Sequence, residues 1–458
     1  LISFFLHIIA SYFNVGFYNL DEHFAILEPV NFKLNQKATL DWDFFIHYDR
    51  SWFIPSIYYC ITKFLIFLKI NNPFYWAFAF RLFASLLGWI ALICLFYLGL
   101  NFLKNKISKN ILLYSLTFLW FIPFLHSRTS SENIGSSLIV IGITIFLYLK
   151  KTKYFYFYFY LSGLILGFAF LTRYLLGVSV LGFGLWALLI NRNKLIELAF
   201  SFFGILSSIF IGVLIDFWGY GIFQFTPLNY YLFNGIGLMN YFTPHPWWYY
   251  FYLLINDFLP PISLLILFSI LVFWIKSLKH FITWTTLPSF VFLCTVPHKE
   301  LRYIFPILLF SPIYLSFTYF FLKNFLKKYI QYFILKSFIK FFFYFLVTLN
   351  IMALLIFLFI PANNDIKFYD YLYSNPNKIT KIYTLNDIPY RQTTLMSTFY
   401  TNESIEFTRM YNSYECTETF FENNKIELNE NININYLNND KEIEFLEVQQ
   451  FSTPSWIF

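Results

Sequence analysis

The stretch Trp52-Phe53-Ile54-Pro55-Ser56-Ile57-Tyr58-Tyr59-Cys60-Ile61-Thr62-Lys63-Phe64-Leu65-Ile66-Phe67-Leu68-Lys69-Ile70 decides how the whole chain is threaded. It has the length and apolar content of a membrane span, yet Lys63 and Lys69 interrupt it, and a lysine buried at mid-bilayer costs about 2.5–3.5 kcal/mol. Whether it crosses the bilayer or lies along it reverses the side of every later loop. Outward from it, apolar runs that read as spans cover 1–17, 76–100, 111–125, 136–149, 155–171, 175–190, 198–215, 259–274, 281–296, 303–321 and 341–360. If 52–70 stays in the interface there are eleven spans, and fifteen basic residues share one side: Lys104, Lys106, Lys109, Lys150, Lys151, Lys153, Arg192, Lys194, Lys276, Lys279 and the lysines from Lys323 to Lys340. The positive-inside rule makes that side cytoplasmic. Threading 52–70 through the bilayer would put these lysine-rich loops outside, so the stretch reads as an amphipathic helix on the outer surface. The first seventeen residues carry no small-residue cleavage site, which favours a retained span over a cleaved leader.

Composition agrees with a polytopic membrane protein. Of 458 residues 58% are hydrophobic and 12% charged, more apolar residues than a soluble core of this size needs. The 65 Phe residues accompany an excess of Ile, Tyr, Asn and Lys, so they read as lipid-facing filler. Cys60, Cys94, Cys294 and Cys416 show no paired spacing, which points to neither a metal site nor a disulfide framework. No phosphate-binding glycine loop or HExxH helix occurs, and no cofactor is expected. Charge divides the chain: residues 1–361 hold 25 Lys+Arg against 11 Asp+Glu, whereas 362–458 hold 7 against 14. The expected organisation is a basic membrane part, 1–361, whose first outer loop spans 18–75, followed by a small acidic extracytoplasmic α/β or β-rich domain, 362–458.

The distinctive polar sequence falls on the outer side. Asn19-Leu20-Asp21-Glu22-His23-Phe24-Ala25-Ile26-Leu27-Glu28-Pro29 sets acids and an imidazole directly after the first apolar run. It reads either as a reactive cluster or as a helix start, where Asp21 and Glu22 suit the positive dipole end. Asp41-Trp42-Asp43-Phe44 and Asp49-Arg50-Ser51 follow, then Arg128-Thr129-Ser130-Ser131-Glu132-Asn133. The loop after Asp216 holds Tyr220-Gly221, Thr226 to Asn229, Asn234 and His245-Pro246-Trp247, whose rings and amides suit sugar faces and hydroxyls but also an interfacial aromatic belt. Finally His298-Lys299-Glu300-Leu301-Arg302-Tyr303 packs cations, an imidazole and an acid at a membrane edge. Such a knot is costly unless it pairs internally or binds an anion.

These residues resemble a known family. His298-Lys299-Glu300-Leu301-Arg302-Tyr303 resembles the HKE-x-R-[FY] signature of the glycosyltransferase family 22 α-mannosyltransferases, members of the GT-C superfamily that act in GPI-anchor and N-glycan assembly. Asp21-Glu22 through Glu28-Pro29 resembles the family's acidic pair, and Asp41-Trp42-Asp43-Phe44 with Arg50-Ser51 resembles its Trp-acid-aromatic and Arg-Ser pattern, with Asp43 where the family usually has Glu. The later outer-loop motifs follow in the family's order, although Arg173-Tyr174 matches only loosely. The resemblance covers about 19–306 and implies a GT-C-type helix bundle. It further implies transfer of mannose from a polyprenyl or dolichyl phosphate carrier to a lipid-linked glycan acceptor, with inversion, without a metal, on the extracytoplasmic face, the ER lumen or the periplasm. A base at Asp21, with Glu22 its rival, would take the acceptor's proton, while His298, Lys299 and Arg302 hold the donor phosphate. Glu28, Arg50, Arg128, Glu132, Asn133, Asn229, His245 and Trp247 are the expected substrate contacts, and the chain is expected to work as a monomer in the bilayer without nucleic acid. A lipid-linked-sugar transporter or flippase is the alternative, disfavoured because transporters place charges at the bilayer midplane. A GT-C transferase using another lipid-phosphate sugar is a nearer one.

Overall fold

The computed structural model describes residues 1–103, 105–148, 154–237, 244–326, 333–363 and 365–374, then 381–384, 391–392, 395–401, 406–409, 435–436 and 443–444. It is predominantly helical. Five helices among the described residues are long and apolar enough to cross a membrane: Pro73–Phe102, Ser131–Tyr148, Phe155–Thr172, Leu195–Tyr220 and Lys340–Phe359. Two bent pairs raise the count to seven, Ile262–Lys276 with Phe281–Thr295 at 116° and Leu301–Leu308 with Ser311–Lys323 at 59°. The eleven expected segments are all represented by helix, but several are short. Ile2–Phe13 has 12 residues, and the run 111–125 divides into Lys106–Phe118 and Phe121–His126. At 1.5 Å per residue, a 12-residue helix covers roughly 18 Å of a hydrocarbon core about 30 Å thick. The break at Leu119 is held by Asn350, which donates to the Phe118 carbonyl (2.7 Å) and accepts from Trp120 N–H (3.1 Å).

The stretch 52–70 is the helix Phe53–Phe67, apolar but too short to count as a span. Its Tyr58 face is buried, while Cys60, Lys63, Phe64 and Phe67 are exposed. Its start is tied to the end of Leu195–Tyr220: Asp216 Oδ1 accepts from Trp52 N–H (2.7 Å) and the Ser51 hydroxyl (2.9 Å), and its Oδ2 from Thr226 (2.6 Å). Small residues let the long helices close on each other, as in membrane bundles generally. A Cβ on Gly163 would collide with the Ser201 carbonyl of the neighbouring helix.

One core runs through the bundle, and a second gathers the first outer loop, Phe53–Phe67 and the start of Pro73–Phe102. The helix Asp365–Ser374 and the segment 395–401 join this second core through Ile366, Tyr369, Leu372, Phe399 and Tyr400. Further along, three two-stranded ladders pair Lys381–Thr384 with Glu406–Arg409 in parallel, Arg391–Gln392 with Leu395–Met396 and Asn435–Tyr436 with Ile443–Glu444 antiparallel. The rest of 362–458 lies outside the described residues.

Candidate active site

The first helix ends at Phe13, where Asn14 donates to the carbonyls of Phe357 and Ile360 (2.7 Å each). Gly16 then turns the chain at φ +91°, against Asn363. Asn19 caps a short turn, Leu20–Glu22, by accepting from Asp21 N–H at 3.0 Å, the usual service of an N-cap amide. A π-helical turn, His23–Leu27, follows and leads into Glu28–Lys33 with Pro29 near its start. Such turns insert a residue into a helix and so re-aim its faces. Asp21 and Glu28 consequently serve different surroundings.

Asp21 sits at the centre of a charge cluster drawn from five stretches of the chain, around Asp21, Asp43 to Arg50, Glu132, Arg173 and Glu300 to Arg302. Its Oδ2 lies 2.8 Å from Arg50 Nη2, 2.8 Å from Arg302 Nη1 and 3.7 Å from Arg173 Nη1. Arg50 also reaches Asp43 (2.6 Å), Arg173 reaches Glu132 (3.3 Å), and Arg302 reaches Glu300 (2.7 Å) and Glu132 (3.8 Å). Several of these pairs are close but off the hydrogen-bond axis: Glu132 Oε1, Arg173 Nε and Nη1, and Arg302 Nε and Nη1 make no aligned hydrogen bond. Most of the cluster is sealed, but 24% of the Asp21 side chain stays open to solvent. Burial alone would raise the Asp21 carboxyl; Arg302 and Arg50 overcome it and hold Asp21 well below the usual carboxylate range.

Glu22 behaves oppositely. It is buried, 3.9 Å from Arg128, with Oε1 unpartnered, and burial pushes its carboxyl up to about 7 against the pull of Arg128 and Arg302. Within the cluster, Glu300 is the acid with the most donors. His298 (3.0 Å), Arg302 (3.0 Å) and Tyr303 (3.0 Å) donate to its Oε1, and Asn19 (3.0 Å) to its Oε2. Lys299 is buried, and its ammonium donates to the carbonyls of Val296 (2.5 Å) and His245 (3.0 Å). Among the described residues no carboxylate lies within ion-pair reach of it. An apolar groove lined by Tyr18, Trp120, Phe124, Phe258, Leu301 and Phe305 opens beside this cluster. Among the described residues no three His, Cys, Asp or Glu side chains are placed to hold a metal ion.

The residues expected from sequence divide. Asp21, Arg50, Glu132, Arg302 and His298 meet in or beside the cluster. Arg128 is fully buried and donates to the carbonyls of Asn14 (2.6 Å) and Gly16 (3.2 Å), while Asn133 donates to those of Arg128 (2.7 Å) and His126 (3.2 Å). Both hold the backbone that presents the acids. Asn229 bridges the Tyr48 carbonyl and Gln224 at 3.0 Å each. His245 stacks on Tyr249 with centroids 4.1 Å apart, and Trp247 is 66% exposed. Glu28 faces away from the cluster, wholly buried among donors. Arg173, matched only loosely in the sequence and not among the expected contacts, also joins the cluster, and its signal was available as the lone charge in the short link between two apolar runs.

Residues 1–398 match the Alg9-like mannosyltransferase family. The chain belongs to that family. It is therefore a membrane mannosyltransferase, an enzyme that takes a sugar donor and a glycan acceptor. A comparison with curated proteins finds none that matches.

Proposed function

We propose that this mannosyltransferase moves mannose from a polyprenyl phosphate carrier, dolichyl phosphate in eukaryotes, to a lipid-linked glycan of the kind built in GPI-anchor or N-glycan assembly, on the extracytoplasmic face. The acceptor hydroxyl oxygen bonds to the anomeric carbon as the bond from that carbon to the phosphate oxygen breaks. The configuration inverts, the hydroxyl proton passes to Asp21, and the lipid phosphate leaves as an anion. Asp21 and Glu300 are both ionised with about a quarter of the side chain open (24% and 23%), but four donors already occupy the Glu300 oxygens, which leaves Asp21 the acid able to take a proton. Its three arginine neighbours make it a weak base in the resting state, but they keep it ionised and fixed, and the acceptor proton becomes acidic only as the new bond forms. Glu22, with its higher carboxyl, is the stronger base yet lies buried behind Asp21, so it serves as the rival.

For the phosphate, the buried ammonium of Lys299 supports the reading best, because a cation with no acid in ion-pair reach among the described residues is suited to an incoming anion. His298, a third exposed, stands at the rim, and Arg302 links the phosphate side to Asp21. Arg50 and Glu132 fix the geometry between them, with Asn229, His245 and Trp247 on the surrounding loop. Polyprenyl-phosphate mannose, polyprenyl-phosphate glucose and GDP-mannose, each offered to the purified protein with lipid-linked mannoside acceptors and followed by linkage analysis, test the proposal. Transfer is expected from polyprenyl-phosphate mannose alone, giving an α-linkage. Transfer from GDP-mannose, or a product of retained configuration, overturns it.

A further inference from the structure

Glu28 is fully buried, and five donors converge on its carboxylate. Oε1 accepts from His23 Nε2 (2.8 Å), Thr398 N–H (2.5 Å) and Phe399 N–H (3.0 Å), and Oε2 accepts from Thr39 N–H (3.0 Å) and the Thr398 hydroxyl. A carboxylate offers about four lone-pair sites, so this one is saturated and has no face left for a substrate. Three of its donors come from two adjacent residues 370 positions or more away in sequence. The same hydroxyl also stands 3.0 Å from the Lys37 carbonyl, tying Thr398 to both arms of the first outer loop.

What Glu28 holds in turn is the turn that carries the acids. His23 follows Glu22 directly, its ring donates to Glu28 from Nε2, and Glu28 N–H closes the π-helical turn on the His23 carbonyl. Tyr400, two residues after Thr398, stacks on the His23 ring with centroids 5.8 Å apart and planes at 29°. Phe17 packs on the same ring at 5.3 Å. The segment 397–401 therefore holds His23 at its polar edge through Glu28 and at its ring through Tyr400, two residues from Asp21.

We propose that Thr398 is a positioning residue for the transfer reaction: through Glu28 and His23 it sets the place of Asp21, so that a segment far along the chain governs the rate of a reaction it never touches. The inference rests on the reading of the Asp21 loop as the site of proton uptake. A base displaced by about 1 Å costs up to roughly 10²-fold in rate, whereas binding of donor and acceptor, whose contacts lie elsewhere, is untouched.

The test compares Thr398→Val, Thr398→Ala and Thr398→Ser with Asp21→Asn in the full-length protein, using polyprenyl-phosphate mannose as donor. Thr398→Val is expected to lower kcat roughly ten- to hundredfold with donor KM within about twofold of the parent, and Thr398→Ser, which keeps the hydroxyl, to restore kcat to within about threefold. A folded Thr398→Val with parent kcat overturns the proposal. So does a fall of kcat that Thr398→Ser does not rescue, or failure of both Thr398→Val and Thr398→Ala to fold, since Thr398 would then be a packing residue only. If Asp21→Asn itself transfers at the parent rate, the reading of the loop fails with it; if Asp21→Asn is inactive and Thr398→Val is not impaired, the clasp alone fails.

Discussion

Asp21 and Glu28 lie seven positions apart in the same loop, and both carboxyls are held below their ordinary range, but by different agents. Glu28 is kept ionised, against burial, by the donors of His23, Thr398 and Thr39; Asp21 by the guanidiniums of Arg302 and Arg50. The first is sealed and saturated, whereas the second keeps a quarter of its side chain open among charges that approach without full alignment. A depressed carboxyl is therefore no mark of reactivity in itself. Openness, together with neighbours whose bonding capacity is unspent, separates the group that can react from the group that holds.

Breaking the charged half should have the larger consequences. Arg302→Lys keeps the charge but loses the fork that spans Asp21 and Glu300, because an ammonium cannot reproduce bidentate geometry. Turnover is expected to fall roughly 10²-fold in protein that reaches the membrane in normal amounts. Parent turnover would reduce the cluster to an internal scaffold. Lys299→Met, which removes a buried cation with no carboxylate in ion-pair reach among the described residues, should raise donor KM roughly tenfold or more with a smaller change in kcat; an unaltered donor KM would move the phosphate elsewhere.

Glu22 sharpens the comparison through pH. Because burial raises its carboxyl to about 7 in the folded protein, above the usual value near 4.5, the folded state binds this proton more tightly than the unfolded chain does. The associated stability is fully present below about pH 4.5 and is lost as pH rises through about 7. Glu22→Gln cannot titrate, so the decline in thermal midpoint between about pH 5 and pH 8 should be shallower than in the parent, and turnover should change by only a few-fold. A decline as steep as the parent's would mean that Glu22 is already ionised when folded.

Much of the site was legible before the structure because one physical constraint orders it. Lysines cluster on alternate loops, so parity alone places Asp21, Arg50, Glu132 and Arg302 on one side, and in the structure they meet. Arg173 matched only loosely because the connection that carries it is only a few residues long and its neighbours resemble the runs around it. Helix lengths were less legible: apolarity continues through 111–125, and the break at Leu119 depends on Asn350, more than two hundred positions away. Thr398 carried no signal at all. A hydroxyl in an Asn- and Thr-rich tail has no periodicity, and its contact with Glu28 exists only once the tail has folded back onto the first loop.

Proton uptake by Asp21 is the step on which the proposed reaction turns. Single-turnover transfer from saturating polyprenyl-phosphate mannose by Asp21→Asn, which preserves size and much of the hydrogen bonding while removing basicity, tests it most directly. The expected result is a rate lower by roughly 10² to 10⁴-fold with donor affinity nearly unchanged. Transfer at the parent rate by Asp21→Asn, with Glu22→Gln inactive, would contradict the claim and give the role to Glu22.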